Sequence, residues 1–214
     1  MSPKTSGRIV GALYLLAFLV YGGGSALALD AHGPRLSAGA VLMLLNSVTV
    51  VATAALAFPL LRPHGEGVAA GYLAGRTVEA ALCAAGVALL LTRSATAAPE
   101  VRELLGAGND YAYQIAMLAA GSAGIVFCRA LLRTGLVPRW LAVWGLAGYP
   151  LLQAGAVCEL FGRHVGVAFS VPGGLFEVTL GALLLVRGFR VGWKPQGNRM
   201  ATDEAAGGVV LGTR

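Results

Sequence analysis

Charge is the first thing this sequence lacks. Only 12% of its 214 residues are Asp, Glu, Lys or Arg, about half the usual share of a soluble domain, while 57% are hydrophobic. With a mean hydropathy of +0.72, the chain has too little polar surface to cover a water-soluble globule, and that class is excluded. Cysteine is scarce as well. Cys83, Cys128 and Cys158 stand singly in apolar stretches, without CxxC spacing and in odd number, which excludes a disulfide framework and makes them small, lipid-buried apolar residues. The three histidines, His32, His64 and His164, fall in connections or at the ends of apolar stretches, so no pair stands ready to ligate haem or a metal ion. GxSxG, Walker A and HExxH patterns are missing. No cofactor, no metal site and no enzymatic activity are therefore expected. A net charge of +6 and a pI near 9.7 could suggest nucleic acid. The basic residues, however, sit at the ends of apolar segments and not in one patch interleaved with aromatics, so no nucleic-acid partner is expected.

What the sequence does have is a succession of apolar runs near the ~20 residues needed to cross ~30 Å of hydrocarbon. Six spans are predicted, all helical: Ile9 to Leu29, Leu36 to Leu61, Val68 to Leu91, Asp110 to Leu132, Trp140 to Leu160 and Val165 to Val186. The fold class is an all-α, polytopic membrane helical bundle of six transmembrane helices (residues 9–191), flanked by a short N-terminal segment (1–8) and a mobile tail (192–214). Placing both termini in the cytoplasm puts eleven basic residues on that side, among them Lys4, Arg8, Arg62, Arg133, Arg139 and Arg187. Four remain outside: Arg35, Arg93, Arg102 and Arg163. Tyr21, Tyr111, Tyr113, Trp140 and Trp193 fall at predicted interfaces, where amphipathic rings prefer to sit. Lys4 and Arg8 ahead of an apolar run and Ala26-Leu27-Ala28 imitate a secretory signal. The run is longer than a signal core of about 7 to 15 residues, so a retained first helix is expected. The longest predicted loop, Thr92 to Asn109, has room for a short surface helix.

Ionisable groups inside hydrocarbon carry the functional information, because an Arg or Asp at a helix centre costs about 2.5 to 3.5 kcal/mol on insertion scales. Arg76 and Glu79 sit roughly 12 and 16 Å above Val68, and Glu177 roughly 15 Å above Arg187, at 1.5 Å per residue. All three occupy one layer. Arg76 can pair with Glu177 across antiparallel helices or with Glu79 at i,i+3 on its own. One cation facing two carboxylates leaves a deficit of one charge. Either a carboxylate is protonated, or a cation or basic ligand group completes the site.

The sixth span is interrupted by Pro172-Gly173-Gly174, and the remainder to Val186 is only ~21 Å long at helical rise. That spacing suggests a broken helix of the kind transporters place near the midplane, or a proline kink satisfied by neighbours. Pro150 in the fifth span carries the same two readings. Asn46, Thr49 and Thr53 share one helix face and are expected to bond to a neighbouring helix. Gly7 with Gly11 and Gly71 with Gly75 satisfy GxxxG, which permits close helix approach. Gln114, Gln153 and Glu159 lie toward the outer half, lining a vestibule or meeting headgroups.

Four segments, RIVGALY (Arg8 to Tyr14), RTVEA (Arg76 to Ala80), TGLVPRWLAVWGLAG (Thr134 to Gly148) and PGGLFE (Pro172 to Glu177), occur here in that order. Together they resemble the domain of unknown function 4386 family of bacterial membrane proteins. The resemblance covers about Arg8 to Val186 and implies a six-helix bundle; the expected location of the chain is the inner (plasma) membrane, as a multi-pass protein. It implies no biochemical activity and draws attention to Arg76, Pro138 with Arg139, and Glu177. The leading functional reading is a non-catalytic bundle that plays a structural part or regulates a partner. The alternative is a small-solute or ion carrier using the Arg76, Glu79 and Glu177 layer. Expected partners are the lipid bilayer and either another membrane protein or a second copy of the chain.

Overall fold

The computed structural model describes residues 2–28 and 32–190. Six helices carry the chain: α1 (Pro3–Ala28), α2 (Pro34–Leu61), α3 (Glu66–Ala95), α4 (Pro99–Thr134), α5 (Arg139–Leu160) and α6 (Gly166–Arg187). Each is long and apolar enough to cross a bilayer, and among the described residues there is no strand. The predicted tail, with Trp193, and Leu29 at the end of the first span lie outside the described residues.

Local chemistry sets the ends. Pro34 and Pro99 occupy first-turn positions of α2 and α4, where a missing N–H costs no helical bond. Gly135 ends α4 in the left-handed conformation (φ 65°), its N–H donating to the Leu131 carbonyl, a geometry that a side chain disfavours.

Two predicted boundaries change. The segment 92–109 is not a loop: α3 runs on to Ala95 and α4 begins at Pro99, making α4 a single helix of 36 residues. Glu100, Arg102 and Glu103 are sound helix formers that carry no hydropathy signal, so the helix outruns its apolar part. It is about 54 Å long, well beyond the hydrocarbon thickness. Likewise α1 starts at Pro3, ahead of the apolar run.

A third expectation concerned the prolines. α6 is continuous from Gly166 to Arg187 through Pro172, and α5 is continuous through Pro150. Each proline removes one intrahelical bond, and packing holds the rest. Gly148 and Gly173 bring the α5 and α6 backbones so close that a Cβ at Gly148 would lie 3.0 Å from the Gly173 Cα. Pro150 faces outward and is exposed.

Every helix packs on its predecessor and its successor, and α6 returns to pack on α1, so the six form a closed ring. In lipid this association depends on close fit more than on expulsion of water, which is why small residues mark the seams. The seam that closes the ring uses the first GxxxG pair. Gly7 lies against Gly188 and Phe189, and Gly11 against Gly181 and Leu185. That motif is spent inside the chain and not on a second copy. Of the second pair, Gly75 meets Ala123 of α4 while Gly71 faces open space.

The ends of α1, α2, α4 and α6 bearing Arg8, Arg62, Arg133 and Arg187 gather at one end of the ring, here termed the basic end. Between that end and mid-bundle the interior is filled by one continuous core that includes Val10, Leu61, Phe127, Leu131, Leu141 and Leu184. The opposite half has only a small cluster around Leu36, Met43 and Val87. The open interior there holds the candidate site.

Candidate functional site

Arg76 and Glu79 of α3, Tyr14 of α1, Tyr149 of α5 and Glu177 of α6 lie ten or eleven residues from the basic ends of their helices, Glu79 slightly further. At helical rise this is a common depth of about 15 Å. The predicted layer therefore exists and brings all three charged candidates together. The open question of pairing is resolved by distance: Arg76 Nη1 is 2.9 Å from Glu79 Oε2 and 3.9 Å from Glu177 Oε1. The tight pair lies within one helix. The contact across helices is loose.

The pair does not exhaust its polar atoms. The 2.9 Å approach is not aligned as a hydrogen bond, and both Glu79 Oε2 and Arg76 Nε are left without a hydrogen-bond partner. Their side chains are only 8% and 5% exposed. Apart from that ion pair neither atom is bonded, so the layer holds hydrogen-bonding capacity that the fold does not use. Glu177, at 20% exposure, is the most open of the three. Its Oε1 accepts a 2.7 Å hydrogen bond from the Tyr149 hydroxyl. Below it, the Tyr14 and Tyr72 hydroxyls meet at 3.1 Å, and Tyr72 stacks on Phe127 with ring centroids 4.6 Å apart.

This layer is the floor of a cavity of about 250 Å³ to which all six helices contribute. Its walls rise through Phe18, Tyr21, Asn46, Cys83, Tyr113 and Met117. Every wall residue lies on the side of the layer away from the basic end, whereas the other side is the apolar core. The cavity is one-sided. Gly173 and Gly174 line the wall directly above Glu177; Gly173 serves the seam with α5, and Gly174 leaves room beside Phe18 without breaking the helix. A second hollow, of about 490 Å³, lies among His32, Arg93 and Arg102 at the helix ends and not in the bundle interior.

Other sequence candidates take different places. Thr49 and Thr53 are buried, but their hydroxyls donate to the Asn46 and Thr49 carbonyls of their own helix, not to a neighbour. Gln153 ties α5 to α4 through the Leu118 carbonyl (3.0 Å) and Ser122 Oγ (2.8 Å). Glu159 accepts the Gly166 N–H at 2.7 Å, satisfying one free amide at the start of α6. Tyr21 and Tyr113, expected at the membrane interface, stack on each other at 5.9 Å and line the cavity instead. Trp140 is exposed and stacks on Trp144.

Sequence reasoning missed Tyr14, Tyr72, Tyr149 and Cys83. A signal for the tyrosines was present. A tyrosine in mid-span must find a partner for its hydroxyl, and Tyr14 and Tyr149 lie at the depth already marked by Arg76.

A closed ring of six membrane-length helices around an internal cavity with a charged floor defines the class: a multi-pass membrane helical bundle. More specifically, the family model described as "Domain of unknown function (DUF4386)" matches residues 9–188, a range that takes in most of every helix. The chain belongs to that family. No curated protein and no solved structure matches it.

Proposed function

We propose that this chain is a non-catalytic membrane protein that binds a small solute in its central cavity, as a carrier does in one of its access states. Arg76, Glu79 and Glu177 are the seat of the solute. The basic end lies in the cytoplasm, by the bias of Lys and Arg toward that side, and the cavity faces away from the cytoplasm across the plasma membrane. The observation that carries this reading is the position of the charged layer. It forms the floor of a cavity, where a purely structural ion pair would be sealed by side chains.

The geometry also weakens the idea of a lock between helices. A lock joining α3 to α6 would need Arg76 and Glu177 as its tight pair, yet they stand 3.9 Å apart while Arg76 is held by Glu79 at 2.9 Å. A double-mutant cycle on Arg76→Gln and Glu177→Gln, read as melting temperature and monodisperse yield in detergent, separates the readings. A binding layer predicts near-additive losses, with coupling below about 0.5 kcal/mol. Coupling well above 1 kcal/mol would make the pair a structural lock and return the search for function to partners bound on the outer surface.

A further inference from the structure

The same cavity names the class of its ligand, an inference that rests on the binding reading above. Formal charge comes first. Arg76 is matched by Glu79, and Glu177 has only the Tyr149 hydroxyl and a loose contact with Arg76. With both carboxylates ionised the floor carries one net negative charge, and an anion seated there would face two of them. Of the two ways to balance such a floor, a proton on one carboxylate or a bound cation, the second also uses the Glu79 Oε2 that the fold leaves without a hydrogen bond, so the floor calls for one positive charge.

The walls decide what kind of cation. A bare metal ion needs oxygen ligands to replace its water, which transporters supply from unwound helices and channels from rings of carbonyls. Here α6 stays helical through Pro172, Gly173 and Gly174. Among the described residues no three His, Cys, Asp or Glu side chains gather into a metal-binding group. The walls offer instead Phe18, Tyr21 and Tyr113, with Met117 and Leu152. Aromatic faces attract ammonium groups, more strongly when water is excluded, and apolar walls suit an organic body. The volume sets the size. About 250 Å³ is roughly the liquid volume of eight waters, and it lies below the ~300 Å³ at which drug-sized sites begin.

We infer that the cavity binds a small organic monocation, an ammonium group seated on Glu177 and Glu79 with a short aromatic or alkyl body against the tyrosine-lined wall.

Cys83 provides a built-in reporter, because it lines the cavity one turn above Glu79. The purified full chain in detergent is treated separately with three methanethiosulfonates: cationic aminoethyl, neutral methyl and anionic sulfonatoethyl. Modification is read at Cys83 by peptide mass, so the other two cysteines need no substitution. Rates are normalised to those of a free thiol. The thiol's intrinsic reactivity is common to all three reagents, and their ratio isolates the cavity's preference. The cationic reagent is expected to lead the anionic one by about tenfold or more, the range over which a one-sign cleft concentrates counter-ions. Glu177→Gln should bring the three rates close together. Phenethylammonium should slow the neutral reagent, and phenylacetate should not.

Three equal rates in the native chain, or a lead by the anionic reagent, would overturn the cation assignment while leaving a reachable cavity in place. If even the neutral reagent modifies Cys83 only after unfolding, the cavity is not reached, and the binding reading falls along with the inference. The native-chain ratios stand even if the Glu177 variant does not fold.

Discussion

The two halves of this bundle draw on the same residues to opposite ends. On the basic side of the charged layer, glycine lets backbones touch, as Gly11 does against α6, and aromatic and leucine side chains fill what remains. On the far side Gly22 lines the cavity with nothing within 4 Å of where a Cβ would stand, and Gly174, also on the cavity wall, meets only the edge of Phe18 at 3.7 Å. The far half is not loose throughout, since Gly24 and Gly39 still bring α1 and α2 together. Val87 of α3 packs on that hairpin as well, and the hollow lies among all six helices. A small residue therefore marks either a seam or a hollow, and what stands opposite decides which.

That contrast can be broken most sharply at glycine. Gly11→Val should prevent ring closure, because the new side chain would run into the α6 backbone with no flexible group to yield. Loss of nearly all monodisperse protein on size exclusion is expected, beyond the ~1–3 kcal/mol typical of overpacking. Gly22→Val should leave yield unchanged, and equal losses from the two would erase the distinction between the halves. A smaller effect comes from truncation. Leu131→Ala in the filled half should cost about 2–5 kcal/mol, whereas Met117→Ala on the cavity wall enlarges a space already empty and should cost under about 1 kcal/mol. Melting temperatures of the two variants in one detergent would show it, and a larger drop for Met117→Ala would mean that the cavity closes in the membrane-like state. A further effect, smaller than that of Leu131→Ala, tests the boundary. Tyr149→Phe should cost about 1–3 kcal/mol, as expected for a hydrogen bond to a charged group, and less once Glu177 is already Gln. An undiminished cost would show that the hydroxyl's contribution does not run through the Glu177 carboxylate.

Much of this was legible in the chain because hydrocarbon imposes a ruler. Apolar run length gave six helices, and counting 1.5 Å per residue placed Arg76, Glu79 and Glu177 at one depth. Depth is one coordinate of three. It could not say whether Arg76 turns to Glu79 or Glu177, since both fit the spacing, nor that the layer faces a hollow. Hydropathy also fails where a helix leaves the bilayer, which is why the first turns of α4 read as loop. Tyr21 and Tyr113 show the converse error: an aromatic near a span end suits a lipid interface and an internal wall equally well, and only the rotation of the helix separates them.

The ring also constrains the order in which the protein can be made. Every helix but the last contacts the helix that follows it in the chain, so five of the six seams can form as the polypeptide leaves the ribosome, each between neighbours already delivered to the bilayer. The sixth seam cannot. α1 must wait, with Gly7 and Gly11 unmatched, until α6 arrives more than 150 residues later. Until then the cavity has no sixth wall and Glu177 is not yet in place, so the binding floor is completed by the same late event that closes the circle.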